Sequence, residues 1–139
     1  MKSVLTTILM GLSLNLFAAS EIKVENPRMR LTPPGSKTSA IFMKISNHSK
    51  KDLKLVEVKG DFAGQFELHT MEMSGEKMVM RRVESISIKQ HETTELKSGG
   101  LHIMVFNIKN PLVEGQSHKV NLIFDDKSVI STDVKITKE

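Results

Sequence analysis

The sequence predicts an all-β protein: a single-domain sandwich or small barrel of eight or nine short strands. Three observations point to it. Apolar and polar residues alternate along several stretches, as in Ile22-Lys23-Val24-Glu25 and Leu53-Lys54-Leu55-Val56-Glu57-Val58. A strand that buries one face and wets the other reads this way. Turn formers recur at short intervals: Pro33-Pro34-Gly35-Ser36, Gly60-Asp61, Ser74-Gly75-Glu76, Gly99-Gly100, Asn110-Pro111 and Asp125-Asp126-Lys127. Finally, no stretch beyond residue 20 carries a convincing helical period. No repeat, low-complexity segment or linker divides the chain, and 139 residues suffice for one core without staples.

The elements follow in order. Lys2, the mostly apolar run from Val4 to Phe17 and the small residues Ala18-Ala19-Ser20 have the three parts of a secretory signal. Residues 1–20 are therefore expected to be a signal peptide cleaved after Ser20, and 21–139 the functional domain. An uncleaved anchor is the alternative, but the run falls short of the roughly 20 apolar residues that span a bilayer. No membrane span is expected after cleavage. Ile22–Glu25 is the first strand; Pro27 interrupts, and Arg28–Leu31 resumes the alternation. Ser39–Ile45 is a candidate core strand, closed by the polar stretch Ser46–Asp52. Leu53–Val58, Gln65–Met71, Met78–Val83 and Ile86–Ile88 come next, followed by a polar bend at Gln90-His91-Glu92. Leu101–Ile108, Val120–Phe124 and Val129–Ile136 complete the set.

Composition removes several function classes. With no cysteine the chain has no disulfide, lipid-attachment cysteine or thiolate nucleophile, and it cannot build a blue-copper centre. Covalent haem attachment is excluded for the same reason. The net charge of +4 comes from lysines scattered among carboxylates, and there is no Trp or Tyr for base stacking, so nucleic acid is not an expected partner. Neither a nucleophile-elbow pattern nor a zinc-protease helix is present, and the chain is not expected to be an enzyme.

Potential ligands are concentrated between Phe66 and Phe106, which holds five of the nine methionines together with His69 and His102. Because side chains at i and i+2 leave a strand from one face, His102 and Met104 point one way while Leu101, Ile103 and Val105 point the other. His69, Met71 and Met73 share a face opposite Leu68, and Met78 and Met80 share a face opposite Val79. Thioether sulfur is soft and neutral, a poor partner for Mg²⁺, Ca²⁺ or Zn²⁺ and a good one for Cu(I) when joined by imidazole. Against this stands the ordinary use of methionine as core filler. Met71, Met73 and Met78 are left open between a soft shell, a transfer surface and packing. His48, His91 and His118 lie in polar, turn-like surroundings and are expected to be solvated. Glu67, two residues before His69, has the position of a carboxylate that orients a ligand imidazole. An exposed charge pair with Arg81 or Arg82 nearby is the preferred expectation.

The spacing His69-x10-Met80-x21-His102-x-Met104 resembles the signature of the PCu(A)C family of periplasmic copper chaperones. Thr32-Pro33-Pro34-Gly35, the Ser39–Asn47 strand, Phe66-Glu67-Leu68 and Gly99-Gly100 add to the likeness, which covers essentially the whole chain after the signal. The resemblance implies a cupredoxin-like β-sandwich that binds one Cu(I) through His69, Met80, His102 and Met104. It also implies a periplasmic carrier delivering copper towards the dinuclear copper site of cytochrome c oxidase. The partner would then be the oxidase's copper subunit or another copper chaperone. Two departures are visible. Arg28 stands where an aromatic residue often precedes the Thr-Pro-Pro-Gly turn, and the sequence shows no His/Met-rich tail for a second copper site. The alternatives are a metal-free β-sandwich interaction domain and a copper storage or detoxification protein.

Overall fold

Alternation in the sequence becomes alternation in burial. A computed structural model describes residues 21–138; the expected signal peptide lies outside the described residues. Ten strands form: β1 (Ile22–Arg30), β2 (Ser39–Asn47), β3 (Leu53–Lys59), β4 (Ala63–Ser74), β5 (Lys77–Val83), β6 (Ile86–Ile88), β7 (Thr93–Leu96), β8 (His102–Ile108), β9 (Ser117–Phe124) and β10 (Val129–Thr137). No α-helix occurs among the described residues. The strands make one mixed sheet in the order β5-β4-β8-β2-β1-β10-β9-β3-β6, with β7 added to β2. β1 and β10 run parallel.

This sheet curls until its two halves share one core. Ile41, Leu68, Ile103 and Val105 from one half join Leu55, Leu122, Phe124 and Ile136 from the other in a single apolar cluster. The single-domain, all-β architecture expected from the sequence is the one observed. β2 is its centre, with eight of nine residues buried. β1 covers one of its edges. Its other edge is shared, with β8 along Ser39–Ile41 and β7 along Met43–Ser46.

The ten strands differ from the expected set at two places, one where two segments merge and one where a strand is added. Pro27 does not end the first strand; it sits at a register shift between Glu25 and Arg28, where a bulge needs no ladder donor from proline. Asn26 takes φ 48° there, a left-handed value that asparagine tolerates. The two segments expected around Pro27 are thus one strand. β7 was not expected, because Thr93–Leu96 has one large apolar residue, and its pairing with β2 supplies the ladder that propensity alone does not. The polar stretch after β2 holds a buried knot. Asn47 is fully buried; its amide donates to the carbonyls of Lys51 and Ile88, both at 2.8 Å, and its Oδ1 accepts from Ser49 N and Oγ. Every polar atom of that side chain is satisfied, as burial requires.

Candidate metal centre

The centre is built on β5, β4 and β8, which are neighbours in the sheet. Gly75 begins the β4–β5 turn at φ 65°, a left-handed conformation that glycine reaches without steric cost. The turn pairs Ser74 with Lys77, and the register then runs Met73↔Met78, Met71↔Met80 and His69↔Arg82. On the other side of β4, His69 pairs with His102 and Glu67 with Met104. Leu68, Ile103 and Val105 turn into the core from the opposite face.

On this face a groove of about 330 Å³ is lined by Met71, Met80, His102 and Met104, with Phe42 and Arg30 among its other walls. Of the four residues of the family spacing, Met80, His102 and Met104 line the groove directly. His69 does not; its ring centroid lies 5.8 Å from that of His102. Met71, whose role the sequence left open, is in the groove wall, whereas Met73 and Met78 lie further out on the hairpin.

Hydrogen bonds fix which nitrogen each ring presents. His102 Nδ1 lies 2.8 Å from the Gly100 carbonyl oxygen. A carbonyl only accepts, so Nδ1 carries the proton and Nε2 of the neutral ring keeps its lone pair. Burial pushes the His102 pKa down from its usual 6.5, favouring that neutral form. His69 Nε2 lies 2.7 Å from Glu67 Oε2 and donates to it, so in the neutral ring Nδ1 is the lone-pair nitrogen. That Nδ1 is buried and has no hydrogen-bond partner. A buried acceptor without a donor is costly in a finished core and expected where an ion is to be bound.

The pairing of Glu67 with His69 corrects the expectation of an exposed charge pair. Their side chains are only 15% and 12% exposed, because β5 and β8 flank them and Gln65 Nε2 donates to Glu67 Oε1 at 2.7 Å. The His69 hydrogen bond holds the Glu67 carboxyl below the usual carboxylate range. Glu67→Gln removes the ionised acceptor that orients His69 and raises its basicity. Under the Cu(I) site that the resemblance implies, it is expected to weaken Cu(I) binding by about 10- to 100-fold, measured by chelator competition, with little change in Tm.

Phe42 and Arg30 were not singled out in the sequence, though both lie on the groove face by alternation from Ala40 and Arg28. The guanidinium carbons of Arg28 and Arg30 stand 5.6 and 5.2 Å from the Phe42 ring centroid. Arg28, at the position where an aromatic is common, thus packs on an aromatic from the next strand. Among the described residues no three His, Cys, Asp or Glu side chains cluster as a metal site. The donors gathered on this face are two imidazole nitrogens and methionine sulfurs, a neutral, soft set. His48 and His91 are exposed as expected. His118 is not in a turn; it lies in β9, half-buried and stacked 4.7 Å from the Phe62 ring.

Comparison with known proteins agrees with this picture. A family model described as "Putative lipoprotein LpqE-like" matches residues 22–136. "Putative lipoprotein Lxx21020" of Leifsonia xyli subsp. xyli is 30% identical over 95 residues, covering 68% of this chain and 57% of that protein. Protein RP573 of Rickettsia prowazekii is 26% identical over 102 residues, covering 73% and 56%. The chain therefore spans little more than half the length of these curated relatives. Among solved structures, the copper-bound PCuAC domain from PmoF2 superposes with a TM-score of 0.76 at 19% identity, covering 88% of this chain and 97% of that domain. The Cu(I) form of DR1885 from Deinococcus radiodurans gives 0.66 at 25% identity, covering 84% and 77%. The resemblance to PCu(A)C proteins first seen in the His/Met spacing extends to the fold.

Proposed function

The chain belongs to the LpqE-like family, and from that premise we propose that it is an exported Cu(I) carrier, not an enzyme, binding one ion through His69, Met80, His102 and Met104. The observation that supports this reading most is the pair of imidazoles, each hydrogen-bonded through one nitrogen so that the other keeps its lone pair, beside a groove walled by thioethers. Copper-bound neighbours of the same fold lend it further support.

In this reading the protein's own groups do three things. Glu67 and the Gly100 carbonyl hold the two rings in the tautomers that bind metal. The neutral donor set leaves the ion's single charge uncompensated, which favours Cu(I) over Cu(II). Arg30 at the groove wall adds a positive potential that disfavours a dication more than a monocation. Release proceeds from the open side. His102 is 4% exposed whereas Met80, on the edge strand β5, is 49% exposed. An acceptor's donor atom exchanges with the Met80 thioether first, and the buried imidazoles let go last. The recipient in this reading is the dinuclear copper site of cytochrome c oxidase or a second copper chaperone, and the compartment is the periplasm.

The test is an anaerobic Cu(I) titration of the protein against a chromogenic chelator, alongside Met104→Ala. One equivalent held tightly by the wild type and weakly by the variant is the expected result. Failure of both proteins to compete with the chelator would sink the carrier reading and leave a metal-free sandwich. Transfer of the bound ion to an isolated oxidase copper domain would separate delivery from storage.

A further inference from the structure

The outer half of the β4–β5 hairpin exposes apolar side chains that pack against no core. Met73 is 60% exposed and Met78 51%. Of the seven exposed large hydrophobics among the described residues, four (Met73, Met78, Val79 and Met80) are on β4 or β5. Methionine is usually core material, and as filler it has no use here, because β5 is an edge strand whose residues 77–82 are all exposed.

Register gives these side chains a relation to one another. Met73 lies directly opposite Met78, and Met71 opposite Met80. The two-residue turn closes on Ser74↔Lys77 as the hydrogen-bonded pair, so Met73↔Met78 and Met71↔Met80 are both non-hydrogen-bonded pairs. In such pairs the Cα atoms approach to about 4.5 Å and the side chains are at their closest. All four methionines share the face of His69 and make two rungs leading from the hairpin tip to the groove. The charges of this hairpin are elsewhere. Glu72 and Arg81 pair with each other at 2.9 Å on the opposite face. Arg82, beside His69 at the inner end, lies 4.0 Å from Glu67.

We propose that Met73 and Met78 form a second, outer soft-metal site that takes Cu(I) through two thioether sulfurs and passes it to Met71 and Met80, the next rung inward. This rests on the Cu(I) reading of the groove. The step is ligand exchange: one Cu–S bond forms as another breaks, the ion stays Cu(I), and no proton or electron moves. With two neutral thioethers and no imidazole, the outer site binds more weakly than the inner one and exchanges faster, as an entry and hand-off point must.

The test uses protein labelled with ¹³C at the methionine methyls and titrated anaerobically with Cu(I), read by NMR. The methyls of Met80 and Met104 are expected to shift and saturate with the first equivalent, and those of Met73 and Met78 with the second. In Met73→Leu/Met78→Leu, near-isosteric changes at exposed positions, the second equivalent is lost and the first is unchanged. Met73 and Met78 methyls that stay still through two equivalents, or that move only with the first, would overturn the outer site. Movement of Met73 and Met78 without Met80 and Met104 would uphold the outer site while refuting the inner one.

Discussion

Replacing His102 with alanine is expected to weaken Cu(I) binding by more than 100-fold. The benchmark is the about 10- to 100-fold loss typical when only an outer partner of a metal ligand is removed; losing one of two imidazoles should exceed it. The structure makes His102 the more demanding of the two rings. It is 4% exposed, its Nδ1 is committed to Gly100, and Met104 and Phe42 enclose it. The nearest imidazole, His69, has its ring centroid 5.8 Å away across the β4–β8 ladder. Chelator competition reads the loss, and circular dichroism confirms the fold.

The same variant has a signature in the apo protein. Burial lowers the folded-state pKa of His102 below its usual 6.5. The unfolded chain therefore takes up that proton first, and the associated stability is complete above about pH 6.5 and lost as pH falls through the folded pKa. His102→Ala should flatten that part of the Tm–pH profile. A profile that keeps the wild-type slope between pH 7 and 5 would show that His102 is not buried as the structure has it.

Phe124→Ala is expected to have the largest effect on stability, a loss of about 3–5 kcal/mol. Phe124 is 1% exposed, at the end of β9 where its neighbours in the ladder are Leu55 and the Asp125–Ser128 turn. Truncation leaves a cavity between the two halves of the sheet that those strands cannot close without breaking register. Urea unfolding should show a lower midpoint at unchanged m-value. Copper affinity of the folded fraction should be unaltered, because β9 contributes nothing to the groove. A change below about 1 kcal/mol would mean that this region packs differently.

What the sequence determined alone was periodic. Strand alternation at Leu53–Val58 and Leu101–Ile108 is a local consequence of burying one face, so strand positions and the parity of His102 against Ile103 were legible without coordinates. The spacing of His69, Met80, His102 and Met104 was legible too, and the strand pattern put β4, β5 and β8 in one region. Tertiary structure decided what depends on neighbours distant in the chain. Thr93–Leu96 became a strand because β2 offered an unpaired edge, and Pro27 stayed within a strand because a bulge absorbed it. Asn47, at the start of a polar stretch, became a buried knot because Ile88 and Lys51 came within reach of its amide. Glu67, a surface charge by local sequence, is largely covered because β4 lies between β5 and β8. Which nitrogen of each histidine keeps its lone pair is set by the Gly100 carbonyl and the Glu67 carboxylate, both only two residues away. Spacing gave those residues a chance to meet the rings, but only the ladder, by fixing the direction of each side chain, decided that they do.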